Sequence, residues 1–308
     1  MSHSLLFLGT SAGVPTRRRN VSATALVGQN AKAWTLFDCG EGTQHRVLAS
    51  RLSIYHLERV FITHLHGDHF YGLFGLLASR AMSGAVTPLH LFGPKGSKEA
   101  VSTLLRLSHS RLPYALKIEE IGPGFEANWP DFRIRALSMA HTVPTLGFVI
   151  DFPARPGRLD VQKAKALGIE PGPVYGRLKR AERVRLSDGR VIDGKSLLGP
   201  PLPGKRLAIG GDNQNPMLFA PYAPFDVMVH EATYLGGAKE RMLAKTYGHS
   251  TAKELGQSAK AMGVKRLILT HISARYDSVE GTEALRKAAA LPFGGEVTVA
   301  EDGLEIVL

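Results

Sequence analysis

FITHLHGDHF, residues 61 to 70, decides the reading of this 308-residue chain. Its first positions end an apolar, strand-like run, RVFITH, and the six residues from 64 to 69 hold His64, His66, Asp68 and His69. Four ligating side chains in so short a span, directly after a strand, have no structural explanation other than ligation. His64 and His66 lie two apart on extended chain, so their rings reach one side. Gly67 is expected to permit a sharp turn that carries Asp68 and His69 to a second, adjacent point, so that one loop feeds two metals. Imidazole and carboxylate donors suit zinc, with manganese or iron as substitutes. The single cysteine, Cys39, excludes a thiolate cluster. Two metals about 3.5 to 4 Å apart can clamp both the attacking and the leaving oxygen of a displacement at phosphorus.

Outward from this loop the chain alternates. Strands are expected at SLLFLG, ATALVG, WTLFD, RVFITH, LHLFG, FRIRALSM, LGFVIDF, RLAIGG, FDVMVHE, RLILTH, EVTVAED and LEIVL. Helices are expected at GTQHRVLASRL, FYGLFGLLASRAM, SKEAVSTLLRLS, TAKELGQSAKAMG and GTEALRKAAAL. The chain is therefore α/β. Two blocks of strands, each followed by helices, predict two sheets packed face to face with helices outside, a four-layer αββα arrangement. Polar residues fall at the carboxyl ends of the strands: the loop itself, then His141, Asp212, His230 with Glu231, and His271. Ligand sites in open α/β sheets gather at that edge. A strand-end histidine or aspartate can also cap a turn, so His141, Asp212 and His271 each keep a second reading. His3, His45, His56, His90 and His109 are expected in helical or surface contexts, without a functional role.

Composition bounds the rest. With 44% hydrophobic residues the chain can build a sizeable core. No apolar run approaches the roughly 20 residues of a membrane span, and SLLFLG is too short for the core of a signal peptide, so a cytoplasmic protein without membrane contact is expected. A lone cysteine fits a reducing compartment. The net charge of +11 points toward a polyanionic partner. Residues 152 to 204 carry eleven Lys or Arg against five Asp or Glu, with seven Pro and eight Gly. Such a composition is not expected to build a core of its own, and it reads as an insertion projecting from the main body.

The motifs together resemble the ribonuclease Z family, transfer RNA 3′-processing endonucleases of the metallo-β-lactamase fold, and most closely the bacterial form also called ribonuclease BN. The resemblance rests on LLFLGTSAGVPTRRRN (5 to 20), FDCGEGTQHRVL (37 to 48), HLHGDH (64 to 69), His141, GGDN (210 to 213), HEATY (230 to 234), GHST (248 to 251) and THISARY (270 to 276). HxHxDH alone marks only the broad superfamily; HEAT, GHST and the basic insertion narrow it. The resemblance implies that His64, His66 and His141 hold one zinc, that Asp68, His69 and His271 hold the other, and that Asp212 bridges them. Water activated between the two zinc ions would be the nucleophile, with Asp68 orienting or deprotonating it. Glu231 would pair with His249 and raise its pKa, so that His249 can protonate the leaving 3′ oxygen.

The same resemblance makes Asp38 the aspartate that sets the tautomer of a ligand histidine, although a strand-end turn would account for it as well. PTRRRN is similar to a loop near the transfer RNA 3′ end, which makes Arg17 and Arg19 RNA contacts. Arg17 stands where the family has lysine, which alters donor geometry. Asn213 stands where threonine is expected and should matter little. GPVYGRLKR (172 to 180) resembles the family's Gly-Pro-rich arm motif, which grips the transfer RNA elbow, generally for the partner subunit of a homodimer. Gly172, Pro173, Gly176, Arg177, Lys179 and Arg180 would make that grip, neutralising phosphates without reading bases. Two other classes compete with a precursor-tRNA endonuclease. A small-molecule hydrolase of the same fold, such as an arylsulfatase, lactonase or cyclic-nucleotide phosphodiesterase, would not need the basic arm. An RNA-binding module with a structural metal would not need a proton donor.

Overall fold

The computed structural model describes residues 3–28 and 32–308. The chain divides into two units, residues 1–150 with 206–308, and residues 151–205.

The larger unit is built on two seven-stranded mixed sheets. The amino-terminal half supplies β1 (Ser4–Gly9), β2 (Ala23–Val27), β3 (Trp34–Phe37), β4 (Leu57–Phe61), β5 (Leu89–Gly93) and β6 (Leu116–Glu120) to the first. Next come β7 (Glu126–Asn128), β8 (Arg133–Met139) and β9 (Thr145–Asp151) of the second sheet. After the hairpin β10 (Arg183–Arg185) and β11 (Val191–Asp193) of the smaller unit, the second sheet resumes with β12 (Arg206–Ile209), β13 (Val227–Glu231), β14 (Arg266–Thr270) and β15 (Glu296–Val299). The last strand, β16 (Glu305–Val307), crosses back to pair antiparallel with β1, placing Leu5 opposite Ile306. The sheets are therefore not two separate sequence blocks; the carboxyl terminus closes the first. The strands expected from sequence are present, and β6, β7, β10 and β11 are additional.

Alternating side chains build the layers. Phe37 and Phe61 of the first sheet meet Phe148 of β9 at ring distances of 5.6 and 5.3 Å, so the two inner faces share one apolar seam. On the outer face of the first sheet, Leu36, Val60 and Leu91 pack with Val47 of α1 (Thr43–Leu48) and with Leu73, Leu76 and Leu77. The last three belong to α3 (Leu73–Met82), which follows the one-turn α2 (Gly67–Phe70). On the outer face of the second sheet, Met228, Leu267 and Leu269 pack with Leu255, Ala259, Leu285 and Ala289. Each valine, leucine or methionine among them contributes about 1.5–3 kcal/mol when removed from water. The helices so placed are α8 (Ala252–Ala261) and α9 (Val279–Phe293), which follow α4 (Ser97–Leu107), α5 (Val161–Ala166), α6 (Pro173–Lys179) and α7 (Ala238–Tyr247) in chain order. This is the four-layer αββα architecture.

The smaller unit corrects one expectation. It holds α5, α6 and the β10–β11 hairpin, and Ala164, Ile169, Tyr175, Leu178, Val184 and Leu197 form a core of their own. Composition hid this because the apolar residues are few but spaced so that one face of each short element is covered. Its ends are joined by a bond from Phe152 N–H to Lys205 O, 2.8 Å.

Candidate active site

Every expected ligand leaves the carboxyl end of a strand. Past β4, Ile62 and Thr63 lead to His64, and His66 precedes α2, which carries Asp68 and His69. His141 follows β8, Asp212 follows β12, Glu231 closes β13 and His271 follows β14. Gly67 departs from expectation. It opens α2 without a positive φ, and a Cβ there would lie 2.5 Å from the ring of the exposed Tyr71, which would have to swing aside. Left-handed backbone occurs instead at Asp38 (φ 58°) and His271 (φ 55°), a conformation costing about 1–2 kcal/mol for a residue with a Cβ.

Two sets of donor atoms result. His64, His66, His141 and Asp212 each offer one atom within 4.8 Å of the others, and so do Asp68, His69 and His271. In the first set His66 Nδ1 lies 3.1 Å from His64 Nε2 and 3.4 Å from His141 Nε2. In the second, His271 Nε2 lies 3.2 Å from Asp68 Oδ2 and 3.3 Å from His69 Nε2. Asp212 faces both. Its Oδ1 is 3.4 Å from His69 Nε2 and from His271 Nε2, and its Oδ2 is 3.7 Å from His64 Nε2 and from His141 Nε2. Oδ1 is buried without a hydrogen-bond partner among the described residues. A buried carboxylate oxygen with no donor is costly, and so are imidazole lone pairs pointed at one another. Bound cations relieve both, so this nitrogen and oxygen donor set fits divalent metal.

The surroundings decide which nitrogen of each ring faces inward. His69 Nδ1–H donates to Asp38 Oδ2 (2.7 Å), and Asp38 also accepts from Thr63 N–H (2.7 Å) and Thr63 Oγ1 (2.9 Å). With its proton committed to Asp38, Thr63 Oγ1 accepts from His64 Nδ1–H at 2.9 Å. Asp38 thus fixes two rings, one directly and one through Thr63. Likewise Thr233 Oγ1 donates to Glu231 Oε2 (2.7 Å) and accepts from His271 Nδ1–H (3.1 Å), while His141 Nδ1–H donates to Gly248 O (2.9 Å). With each Nδ1 engaged, Nε2 of all four rings is the atom that faces the centre and can bind metal once unprotonated.

Charge follows the same logic. Burial, reinforced by His69, holds the His64 pKa well below its ordinary value, so this ring is neutral. Burial also lowers His141, against the pull of Asp212. Burial opposes charge on His69 too, but Asp212 and Asp38 outweigh it and raise its pKa. Without a cation His69 therefore keeps a proton, and metal binding would displace it. Burial disfavours charge on Asp212 as well, yet His271 and His69 hold it well below the usual carboxylate range.

Beside the donor sets opens a cleft of about 520 Å³, lined in part by His66, Asp68, Tyr247, His249 and Arg275. Glu231 lies buried behind it. Oε1 accepts from Ser250 N–H (2.6 Å) and faces His249 Nδ1 at 3.3 Å, and Oε2 accepts from Thr233 N–H at 3.0 Å. Burial alone would lower the His249 pKa, but the Glu231 charge and hydrogen bond raise it to about 9. Nδ1 is thereby engaged, and Nε2 is the atom available to a substrate.

Comparison with known proteins decides the family. Ribonuclease BN of Cronobacter sakazakii is 44% identical over 307 residues, 99% of each chain. Ribonuclease Z of Listeria innocua is 46% identical over 286 residues, 92% of this chain and 93% of its own. The chain belongs to the ribonuclease Z family. Human tRNase Z, short form, is 26% identical, with a TM-score of 0.69 and 98% of both chains covered. A metallo-β-lactamase fold protein from Bacillus subtilis, 19% identical with a TM-score of 0.69, shares the fold. A family model described as anti-Pycsar protein Apyc1 matches residues 3–153.

Two expectations drawn from the ribonuclease Z resemblance need correction. Arg19 is not available to RNA. It is buried, its Nε donates to Asp277 Oδ1 (3.1 Å), and its Nη1 donates to Thr10 Oγ1 (2.7 Å) and to the Ala300 carbonyl. Arg17 is exposed. Asn213, expected to matter little, is fully buried with its side chain bonded to three segments of chain. In the smaller unit the arm motif forms α6. Tyr175 and Leu178 turn into its core, whereas Arg177, Lys179 and Arg180 are exposed and Glu182 pairs with both arginines. Thr63 and Thr233 escaped sequence reading, although each lies within two residues of a recognised site residue.

Proposed function

We propose that the protein is a metal-dependent endoribonuclease that removes 3′ trailers from precursor transfer RNA, leaving a 3′ hydroxyl on the transfer RNA and a 5′ phosphate on the trailer. The observation that carries this reading is Asp212, a buried carboxylate whose two oxygens face two separate histidine sets beside an open cleft. His64, His66 and His141 would hold one zinc ion, Asp68, His69 and His271 a second, and Asp212 both. When bound, the two cations offset charge on the phosphate and lower the pKa of the attacking water.

The remaining work belongs to the chain. Gly13 N–H donates to Asp68 Oδ2 at 2.8 Å, a bond that favours the ionised carboxylate. Asp68 would orient the water and accept its proton. As the new P–O bond forms and the bond to the 3′ oxygen breaks, His249 Nε2 would give its proton to that oxygen, with Glu231 steadying the imidazolium before transfer. Arg177, Lys179 and Arg180, on the helix opened by Gly172 and Pro173 and containing Gly176, would grip phosphates of the folded RNA. The exposed pairs of Arg177 and Arg180 with Glu182 are of a kind that holds weakly and that a phosphate can replace. Arg17 would contact RNA near its 3′ end. The resemblance also carries a homodimer and a cytoplasmic location.

Zinc-loaded protein should cut end-labelled precursor transfer RNA at one position. A variant lacking residues 152 to 204 should lose that activity while still hydrolysing bis(p-nitrophenyl) phosphate. Equal loss on both substrates would remove the arm from the reading, and no cut by the intact protein would remove the function itself.

A further inference from the structure

Asn213 cannot transfer a proton, yet every hydrogen-bonding position of its side chain is used. Oδ1 accepts from Ala140 N–H (3.1 Å) and Asn215 N–H (3.0 Å), and Nδ2 donates to Asn215 O (2.9 Å) and to His230 Nε2 (3.1 Å). An amide offers two donors and two acceptor lone pairs, so no freedom to flip remains. His230 fixes the sense of the arrangement. Its Nδ1–H donates to the Glu231 carbonyl at 2.9 Å, which leaves Nε2 an acceptor that only an NH2 group can satisfy. The main chain of Asn213 adds two further links: its N–H points to Glu231 Oε1 (3.3 Å), and its carbonyl accepts from Ser250 Oγ (2.5 Å).

The partners share a pattern. Ala140 precedes His141, Asn213 follows Asp212, His230 precedes Glu231 and Ser250 follows His249. A single buried residue therefore ties together the immediate neighbours of four site residues carried by separate segments. We propose that Asn213 is a positioning residue that sets the spacing of His141 from Asp212 on the metal-holding side and of Glu231 from His249 on the proton-donating side. This rests on the roles given to those four residues under the proposed function. A side chain with fewer hydrogen-bonding groups, or with acceptors only, could satisfy one strand end but not both.

Asn213→Asp tests this, because it keeps the size and the two acceptors but sets an oxygen against two other acceptors, Asn215 O and His230 Nε2. Zinc affinity, read by competition with a chromogenic chelator, should weaken about 10–100-fold, the usual cost of losing a group that orients ligands. The kcat on precursor transfer RNA should fall by a similar factor while KM stays within about threefold, because the RNA grip lies elsewhere. A purely structural role would instead reduce the folded fraction and leave zinc affinity and kcat per folded molecule at wild-type values, which would overturn the proposal. Should Asn213→Asp not fold, His230→Leu removes the same link from the other end, and wild-type zinc affinity there would equally overturn it. Failure of the ribonuclease reading is distinguishable: wild-type protein would bind zinc but cut no precursor transfer RNA, and the chelator measurement would still decide the part played by Asn213.

Discussion

Replacing His249 with alanine separates proton donation from metal holding. The Glu231 carboxylate raises the His249 pKa to about 9, which favours the protonated imidazolium near neutral pH. His249 therefore enters the reaction as an acid. Losing a positioned acid costs about 10²–10⁴ in rate, or about 2.7–5.5 kcal/mol. The loss should depend on the leaving group. A ribose 3′ oxygen leaves poorly without a proton, whereas p-nitrophenolate is stable as an anion and needs none. His249→Ala should thus slow cleavage of precursor transfer RNA by at least a hundredfold and hydrolysis of bis(p-nitrophenyl) phosphate by far less, with metal content unchanged. The wild-type rate should also fall as pH rises through the His249 pKa, at or below 9 because neighbouring cations disfavour the imidazolium, and the variant should lose that limb. The reasoning is refuted by equal losses on both substrates. It is refuted too by loss of metal, since His249 lies with Asp212 and His271 in a third set of atoms able to hold an ion.

Two other outcomes follow from geometry already given. Asp38→Asn should weaken zinc binding about 10–100-fold, measured by calorimetry, because His69 and Thr63 lose the ionised acceptor that sets the His69 and His64 tautomers. Changing Arg177, Lys179 and Arg180 together to alanine should weaken binding of all transfer RNAs alike and reduce the slope of log affinity against log salt by up to about 2–3; an unchanged slope would mean that these side chains meet no phosphates.

The residues of the two donor sets were legible in the sequence because their signal is local. HLHGDH packs four of them together, and the others stand at the ends of apolar runs that any strand reading finds. The helix α7 was not, since of its ten residues only Ala244 is buried and a surface helix shows no apolar period. Nor was the inward turn of Arg19. Three successive arginines look alike in sequence, and only the arrival of Asp277 and Ala300 from remote segments, beside Thr10, picks out the third. The Thr63 and Thr233 relays were hidden for the same reason. A threonine becomes part of a site through what lies across from it, here Asp38 and Glu231, and that is a property of the folded chain.

The bond between Phe152 and Lys205 has a consequence for how the two units came to share a chain. β9 and β12 are neighbours in the sheet, so the 53 residues from 152 to 204 form one long excursion between adjacent strands. Loop-closure entropy grows only with the logarithm of length, and an excursion of this size costs roughly 2 kcal/mol more to close than a four-residue turn. The small core around Tyr175 and Leu178 can offset that amount from within the segment. The excursion can therefore lengthen, shrink or be exchanged for another without unsettling the sheet it interrupts, and if it grips RNA as proposed, natural selection can retune that grip while the donor sets at the strand ends stay fixed.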